Sequence, residues 1–284
     1  MTDQGATTPT RSAVPKRRGT IGTMRRSIDR IIVSHAGNLP RPPELEQAMD
    51  AGPGGQARFE QLLPAAVKDV VRRQAAIGVD VLNDGELSKV GGFSSYVRDR
   101  LGGLEQRAAK PGEKAAPMNV SARDRVEFPG FYEAGMGGFG RTRRIPGTTA
   151  ATQPVFCTGP ITYVGQAATQ ADLDRFTAAF HGLDPSLRSG QAPEGYVPAI
   201  APGTIEHWLQ NAYYRTEEEF LFAIADAMNH EYQAIVAAGF VVQVDDPDLP
   251  DAWQVFPGMA VADYHAYAEP VSYTHLRAHE TGRN

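Results

Sequence analysis

Polar and acidic clusters close three short apolar runs in this chain, and each cluster has the composition of a binding turn. The sharpest is Asp245-Asp246-Pro247, which follows the apolar run 240–244. Asn83-Asp84-Gly85-Glu86 follows residues 79–82, and Ser34-His35-Ala36-Gly37-Asn38-Leu39-Pro40 follows residues 31–33. A carboxylate pair at the C-terminal end of a buried strand, with a Pro that cannot extend the ladder, is where parallel α/β enzymes place their working groups. Glu86 and Asp245 can accept hydrogen bonds from an α-ammonium. Backbone N–H groups of the Gly-containing turn at Ala36, Gly37 and Asn38 can hold a carboxylate. His35, Asp84 and Asp246 stand beside this set, and His35 has the chemistry to orient a substrate or move a proton. No residue declares itself as a catalytic nucleophile or base. Plainer readings stay open at each position: Gly37 and Pro40 shape a turn, Glu86 caps or pairs with Lys89, Asp245 and Asp246 cap a following helix, and His35 is a hydrogen-bonded structural residue.

The elements that would position these residues alternate between helix and strand. Pro64 suits a first helical turn, Val67, Val70, Val71, Gln74 and Ile77 form a mostly apolar face of period 3.6, and Gly78 stands at the C′ position. A strand at 79–82 begins at once. The same unit recurs where Thr216 and Glu219 make a capping box, Phe220, Ile224, Ala227, Met228 and Ile235 line one face, and Gly239 precedes the strand at 240–244. Two more strands are expected at 154–157 and 197–201, with a helix near 171–180 between them. Residues 110–147 are dominated by Gly, Pro and Arg and read as an insertion, and 40–43 as a Pro-rich loop. This alternation is the pattern of a βα barrel or a doubly wound sheet.

The chain has 284 residues and a net charge of −5 with mixed signs, which gives no reason to expect a nucleic-acid or membrane partner. Its single cysteine, Cys157, excludes an internal disulfide framework and fits a reducing compartment. It reads as a small buried residue. With neither a spanning stretch nor a secretory signal core, the expected location is the cytoplasm. Residues 1–26 have no apolar periodicity and carry Lys16, Arg17, Arg18, Arg25 and Arg26, so a mobile leader is expected there.

Four segments in order, SHAGNLPRP, DVLNDGE, CTGPIT and VVQVDDPDL, resemble the C-terminal catalytic barrel of the cobalamin-independent methionine synthase family and its shorter relatives, over about residues 31–249. The resemblance implies a TIM (β/α)8 barrel. It also implies zinc-dependent transfer of a methyl group from a folate-type donor to the thiol of homocysteine, the metal holding the sulfur as thiolate. The homocysteine contacts of the family carry over onto Ala36, Gly37, Asn38, Glu86 and Asp245, with Asn38 in place of the usual Ser. The zinc ligands of the family, a His-x-Cys pair, a Glu and a later Cys, have no counterpart here, so no metal ligand is assigned. Gln166 stands where methionine synthases place a Trp that stacks on the pterin, which leaves the methyl donor open.

The five strand candidates fall short of the eight of a closed barrel. An incomplete barrel over residues 27–270, about five of eight strands, is therefore expected. Residues 271–284, VSYTHLRAHETGRN, show no helix or strand period and resemble a translated library adapter, so His275 and His279 at i, i+4 are taken as accidental. Three other functions remain beside methionine synthesis: zinc-dependent alkyl transfer to another thiol, a metal-free barrel like uroporphyrinogen decarboxylase, and a catalytically silent fragment. The decarboxylase-like reading needs arginines near the N-terminus to clamp carboxylates, and Arg41 is the only one in its loop.

Overall fold

The computed structural model describes residues 24–90, 93–113, 122–134, 153–187 and 193–279. The expected leader falls largely outside them, as does most of the insertion. Where the leader was expected to end, the chain is already tied down. Arg25 donates to the carbonyl of Asp80 at 3.2 Å and its backbone N–H to Glu194, while the Arg30 guanidinium pairs with the Asp80 carboxylate.

Pro42 and Pro43 begin helix α1 (Pro43–Asp50) rather than excluding one, because the fixed φ of proline suits a first turn whose N–H groups are unpaired in any case. Helix α2 (Gln56–Ala76) starts before Pro64 and carries that proline inside it. Its buried face includes Val67, Val71 and Gln74, whereas Ile77 has passed the last turn and is exposed. Gly78, at φ 87°, then forms a Schellman ending: its N–H bonds to Ala75 and that of Val79 to Gln74. Strand β1 (Val81–Leu82) follows, then α3 (Phe93–Arg100), β2 (Leu101–Gln106), and the short helices α4 (Ala122–Glu127) and α5 (Pro129–Glu133).

Strand β3 (Val155–Tyr163), helix α6 (Gln166–His181) and strand β4 (Glu194–Ile200) make the next unit. Then come α7 (Pro202–Trp208), β5 (Leu209–Asn211), α8 (Glu217–Ala237), β6 (Val241–Asp245), α9 (Asp248–Val255) and α10 (Val261–His279). Thr216 caps α8 by accepting from the N–H of Glu219 at 3.0 Å, but the Glu219 carboxylate takes the N–H of Arg215 instead of closing the reciprocal box. Phe220, Ile224, Ala227, Met228 and Ile235 are all buried, and α8 packs on β3, β4 and β6. Phe176 and Phe180 of α6 meet Phe240 with ring centroids 4.5 and 5.7 Å away, closing the layer between helix and sheet.

The class is mixed α/β as expected, but no barrel closes among the described residues. A parallel sheet runs β1-β4-β6, extended on the β1 side by a bridge from Ser34 to Val81. The strand expected at 31–33 shrinks to that bridge, and Ile31 and Val33 are exposed. The strand expected at 154–157 runs on through Thr158-Gly159-Pro160 and joins a second sheet, β2-β3-β5, antiparallel to β2 and parallel to β5. A register shift between Gly102 and Leu104 carries β2 past Pro160. Gly103 has φ 84° there, and a Cβ on it would meet the Pro160 carbonyl oxygen at 2.5 Å.

Helix α10 crosses residue 270 without a break, contrary to the expected loss of helical period at 271. Val271 and Thr274 are buried, and Val271 fills the space over Gly203 in α7. The side chains of His275 and His279 lie outside the described set.

Candidate functional site

Parallel pairing puts the C-terminal ends of the Ser34 segment, β1, β4 and β6 on one side, and the three polar clusters meet there. Within the turn after β1, Asn83 accepts from the N–H of Gly85 at 2.9 Å and Asp84 from that of Glu86 at 2.9 Å, two successive turns of the Asx type. Glu86 lies at φ 53°, the only non-glycine with positive φ among the described residues. A side chain held in that region marks a position the surroundings over-determine. The turn is buried from Asn83 to Leu87.

The first loop is clamped onto this turn. Leu39 donates to the Gly85 carbonyl at 3.0 Å and the Asn38 amide to that of Glu86 at 3.3 Å. Arg41 donates to the carbonyls of Glu86, Leu87 and Lys89 at 3.3, 3.0 and 2.9 Å. Asn83 bonds to the Tyr196 hydroxyl at 2.7 Å and the His35 carbonyl at 3.4 Å, joining the loop, β1 and β4. Gln74 holds Asn83 from behind through both its N–H and its carbonyl.

Burial pushes the carboxyls of Asp84 and Glu86 above the usual range, and Lys89 opposes that rise at both. Asp84, Asp245 and His35 also act on Glu86, and the three carboxylates together act on Tyr196, whose hydroxyl is driven up to about 12, mainly by burial. Glu86, Asp84, Asp245 and His35 therefore share one neighbourhood, as their positions in the chain suggested. Gln243 steadies Asp245 with a 2.7 Å hydrogen bond. Asp246 turns the other way and accepts from Thr204 of α7 at 2.9 Å. Ala36, Gly37 and Asn38 form an exposed rim beside the turn, with Gly37 at φ 80° and open space where a Cβ would stand.

Sequence reasoning missed Asn83, Tyr196 and the role of Arg41. Gln74 was the available signal: a polar residue on an apolar helical face needs a partner inside. It also missed a polar network next door. Glu231 of α8 is buried and accepts from the Tyr163 hydroxyl at 2.6 Å and from the Tyr96 hydroxyl, with Arg100 at 3.7 Å. Arg100 in turn donates to Thr169 at 3.0 Å and Asp172 at 2.9 Å and stacks over Tyr96 at 4.3 Å. A third cluster lies behind Asp246, where His207 meets the Tyr267 hydroxyl at 2.9 Å and Asp248 at 3.7 Å.

A zinc site does not fit what is present. Among the described residues no group of three His, Cys, Asp or Glu side chains is placed to hold a metal ion. Cys157 is buried on β3, its sulfur on the Gly159 carbonyl, and burial pushes its thiol up to about 11. No helix of the described residues is long and apolar enough to cross a membrane.

No family model matches the chain. Among curated proteins, a methionine synthase of Saccharolobus solfataricus is 41% identical over 54 residues, 19% of this chain and 16% of that protein. A methionine synthase of Sulfolobus acidocaldarius is 23% identical over 217 residues, 75% of this chain and 50% of that protein. The chain thus spans half or less of these relatives. A B12-independent methionine synthase from a Shewanella species, solved in complex with selenomethionine, aligns with 80% of this chain and 58% of its own at 17% identity and a TM-score of 0.46.

Proposed function

We propose that this chain carries the amino-acid-binding part of a methyltransferase site of the cobalamin-independent methionine synthase type, with homocysteine as the thiol acceptor. The observation that carries the reading is the nearness of Glu86, Asp84 and Asp245 at the C-terminal ends of β1 and β6, with the Asn38 amide of the exposed loop at 36–38 bonded to the Glu86 carbonyl. An α-ammonium would neutralise excess negative charge there, and the backbone of Ala36, Gly37 and Asn38 would take the α-carboxylate. Similarity to methionine synthases supports this assignment.

In that binding mode Glu86 and Asp245 fix the amino-acid end, and the thiol projects away from the carboxylates. Zinc, which in that family would hold the sulfur as thiolate, has no fitting ligand set among the described residues. Cys157, held protonated by burial, is not a thiol-activating group. The decarboxylase-like reading loses its one candidate clamp, because Arg41 is spent on three backbone carbonyls.

Calorimetry with homocysteine tests the proposal. Binding to the wild-type chain is expected, weakened at least about tenfold in Glu86→Gln and in Asp245→Asn, as for loss of one charge-assisted hydrogen bond. Equal affinity in both variants would remove the assignment.

A further inference from the structure

Strand β4 runs between β1, whose turn carries Glu86, and β6, which ends in Asp245. Its Tyr196 follows Gly195, the partner of Leu82, and pairs with Val241, so it stands between the two strands that bring those acids. Tyr196 is 3% exposed, and its hydroxyl lies 2.7 Å from the Asn83 amide nitrogen. The direction of that hydrogen bond is fixed. Asn83 accepts from the Gly85 N–H through Oδ1 and gives its other amide hydrogen to the His35 carbonyl at 3.4 Å. Turning the amide over would set its nitrogen against the Gly85 N–H and its oxygen against the carbonyl oxygen. Asn83 therefore donates and Tyr196 accepts, which leaves the phenolic hydrogen of Tyr196 to be given elsewhere. Among the described residues no acceptor takes it, although Glu86, Asp84 and Asp245 are close enough to act on the hydroxyl.

We propose that Tyr196 is a further ligand-binding residue, whose hydroxyl donates its hydrogen to the α-carboxylate of the bound amino acid. This rests on the amino-acid-binding reading above and adds a neutral side-chain donor to it. An α-ammonium carries only donors and cannot use this hydrogen, and a neutral thiol is a weak acceptor, which leaves the carboxylate. The position agrees. Asn83 ties the Tyr196 hydroxyl and the His35 carbonyl to one amide, and His35 directly precedes the backbone at 36–38 assigned to the same carboxylate. Burial pushes the hydroxyl up to about 12, so it keeps its hydrogen across the neutral range. A ligand that lacks the matching acceptor leaves this buried donor unpaired, and such a mismatch is costly. Tyr196 would thus favour amino acids over simple aminothiols.

Calorimetry on the full chain with homocysteine and with 3-aminopropane-1-thiol, the same molecule without its carboxylate, tests this. Tyr196→Phe should weaken homocysteine binding at least about tenfold, as for loss of one hydrogen bond to a charged group, and change the affinity for the aminothiol less than about twofold. In wild-type protein carrying carbon-13 at tyrosine Cζ, the Tyr196 resonance should shift on addition of homocysteine and stay in place with the aminothiol, so the decision does not depend on the variant folding. Equal homocysteine affinity in Tyr196→Phe, an equal fall for both ligands, or an unmoved resonance overturns the proposal and leaves the amino-acid reading in place. Failure of homocysteine to bind the wild-type chain at all removes that reading, and the Tyr196 assignment with it.

Discussion

Replacing Glu231 by Ala should be among the most costly single changes in this chain. The carboxylate is 1% exposed and takes two phenolic hydroxyls, with the Arg100 guanidinium 3.7 Å away. Truncation leaves the Tyr96 hydroxyl without its acceptor, a loss of about 1–3 kcal/mol when buried, and leaves Tyr163 with the Thr169 hydroxyl as its remaining partner. It also leaves Arg100 with Asp172 as its remaining carboxylate partner. Breaking a buried ion pair from one side costs about 3–5 kcal/mol, and since these terms share atoms they do not add in full. The expected loss is about 4 kcal/mol, a large part of the ~5–15 kcal/mol typical of a domain. Urea unfolding followed by far-UV circular dichroism would show it as a midpoint lowered by roughly 1.5 M. Arg215→Ala, which removes an exposed pair between a residue just ahead of α8 and Glu219 in its first turn, should leave the midpoint unresolved from wild type. Replacing Glu231 and Arg100 together by Leu and Met should recover part of the loss, because no uncompensated charge then remains. A Glu231→Ala midpoint as close to wild type as that of Arg215→Ala would refute the reasoning.

Acid stability should depend on Asp80, whose carboxyl is held down to about 2 by the Arg30 hydrogen bond, with help from the Val33 N–H and against the effect of burial. A depressed carboxylate contributes above its unfolded value near 4, and the contribution is lost as pH falls toward 2. Asp80→Asn should therefore flatten the stability profile in that window and leave neutral-pH unfolding less stable. His207 works in the opposite sense. Burial alone would lower its pKa, but Asp248, Glu206 and Asp246 raise it above 6.5. Its contribution is full below that value and fades as pH rises through the higher folded value, and His207→Gln should abolish that alkaline slope in thermal melts. Cys157 should resist alkylation by a thiol reagent at pH 8 until the chain unfolds, since its thiol is both buried and raised to about 11. Rapid labelling of native protein would contradict its placement.

The helices that carry the site elements were legible because their signals are local. Gly78 and Gly239 end α2 and α8 with φ of 87° and 89°, and the face of α8 named from periodicity is buried throughout. The meeting of Glu86 with Asp245 followed from one rule, that parallel strands share a C-terminal end. The diversion of β3 did not follow. Its pattern suits either sheet, and the register shift at which residues 158–161 of β3 stand against the single residue Gly103 of β2 gives no alternating signal. Pro64 misplaced the start of α2, because a proline tolerated inside a helix looks the same in sequence as one that opens it. Glu231 could have been found: an acid between Met228 and Ile235 on an otherwise apolar face must meet a donor inside. His207 could not, since Asp248 and Tyr267 reach it from helices far along the chain.

The triple grip of Arg41 on the turn after β1 bears on the order in which the pocket is made. Arg41, Asn38 and Leu39 reach partners fewer than fifty positions away, so the loop and the Glu86 turn close by short-range encounters. Asp245 arrives from near the opposite end of the chain and docks only when β6 pairs with β4. Native-state hydrogen exchange should therefore find the Leu39 amide protected in partially opened forms that have already released β6. The two ends of the ligand would then be gripped by parts of the protein with different lifetimes: a persistent cradle and a late-arriving, first-departing acid.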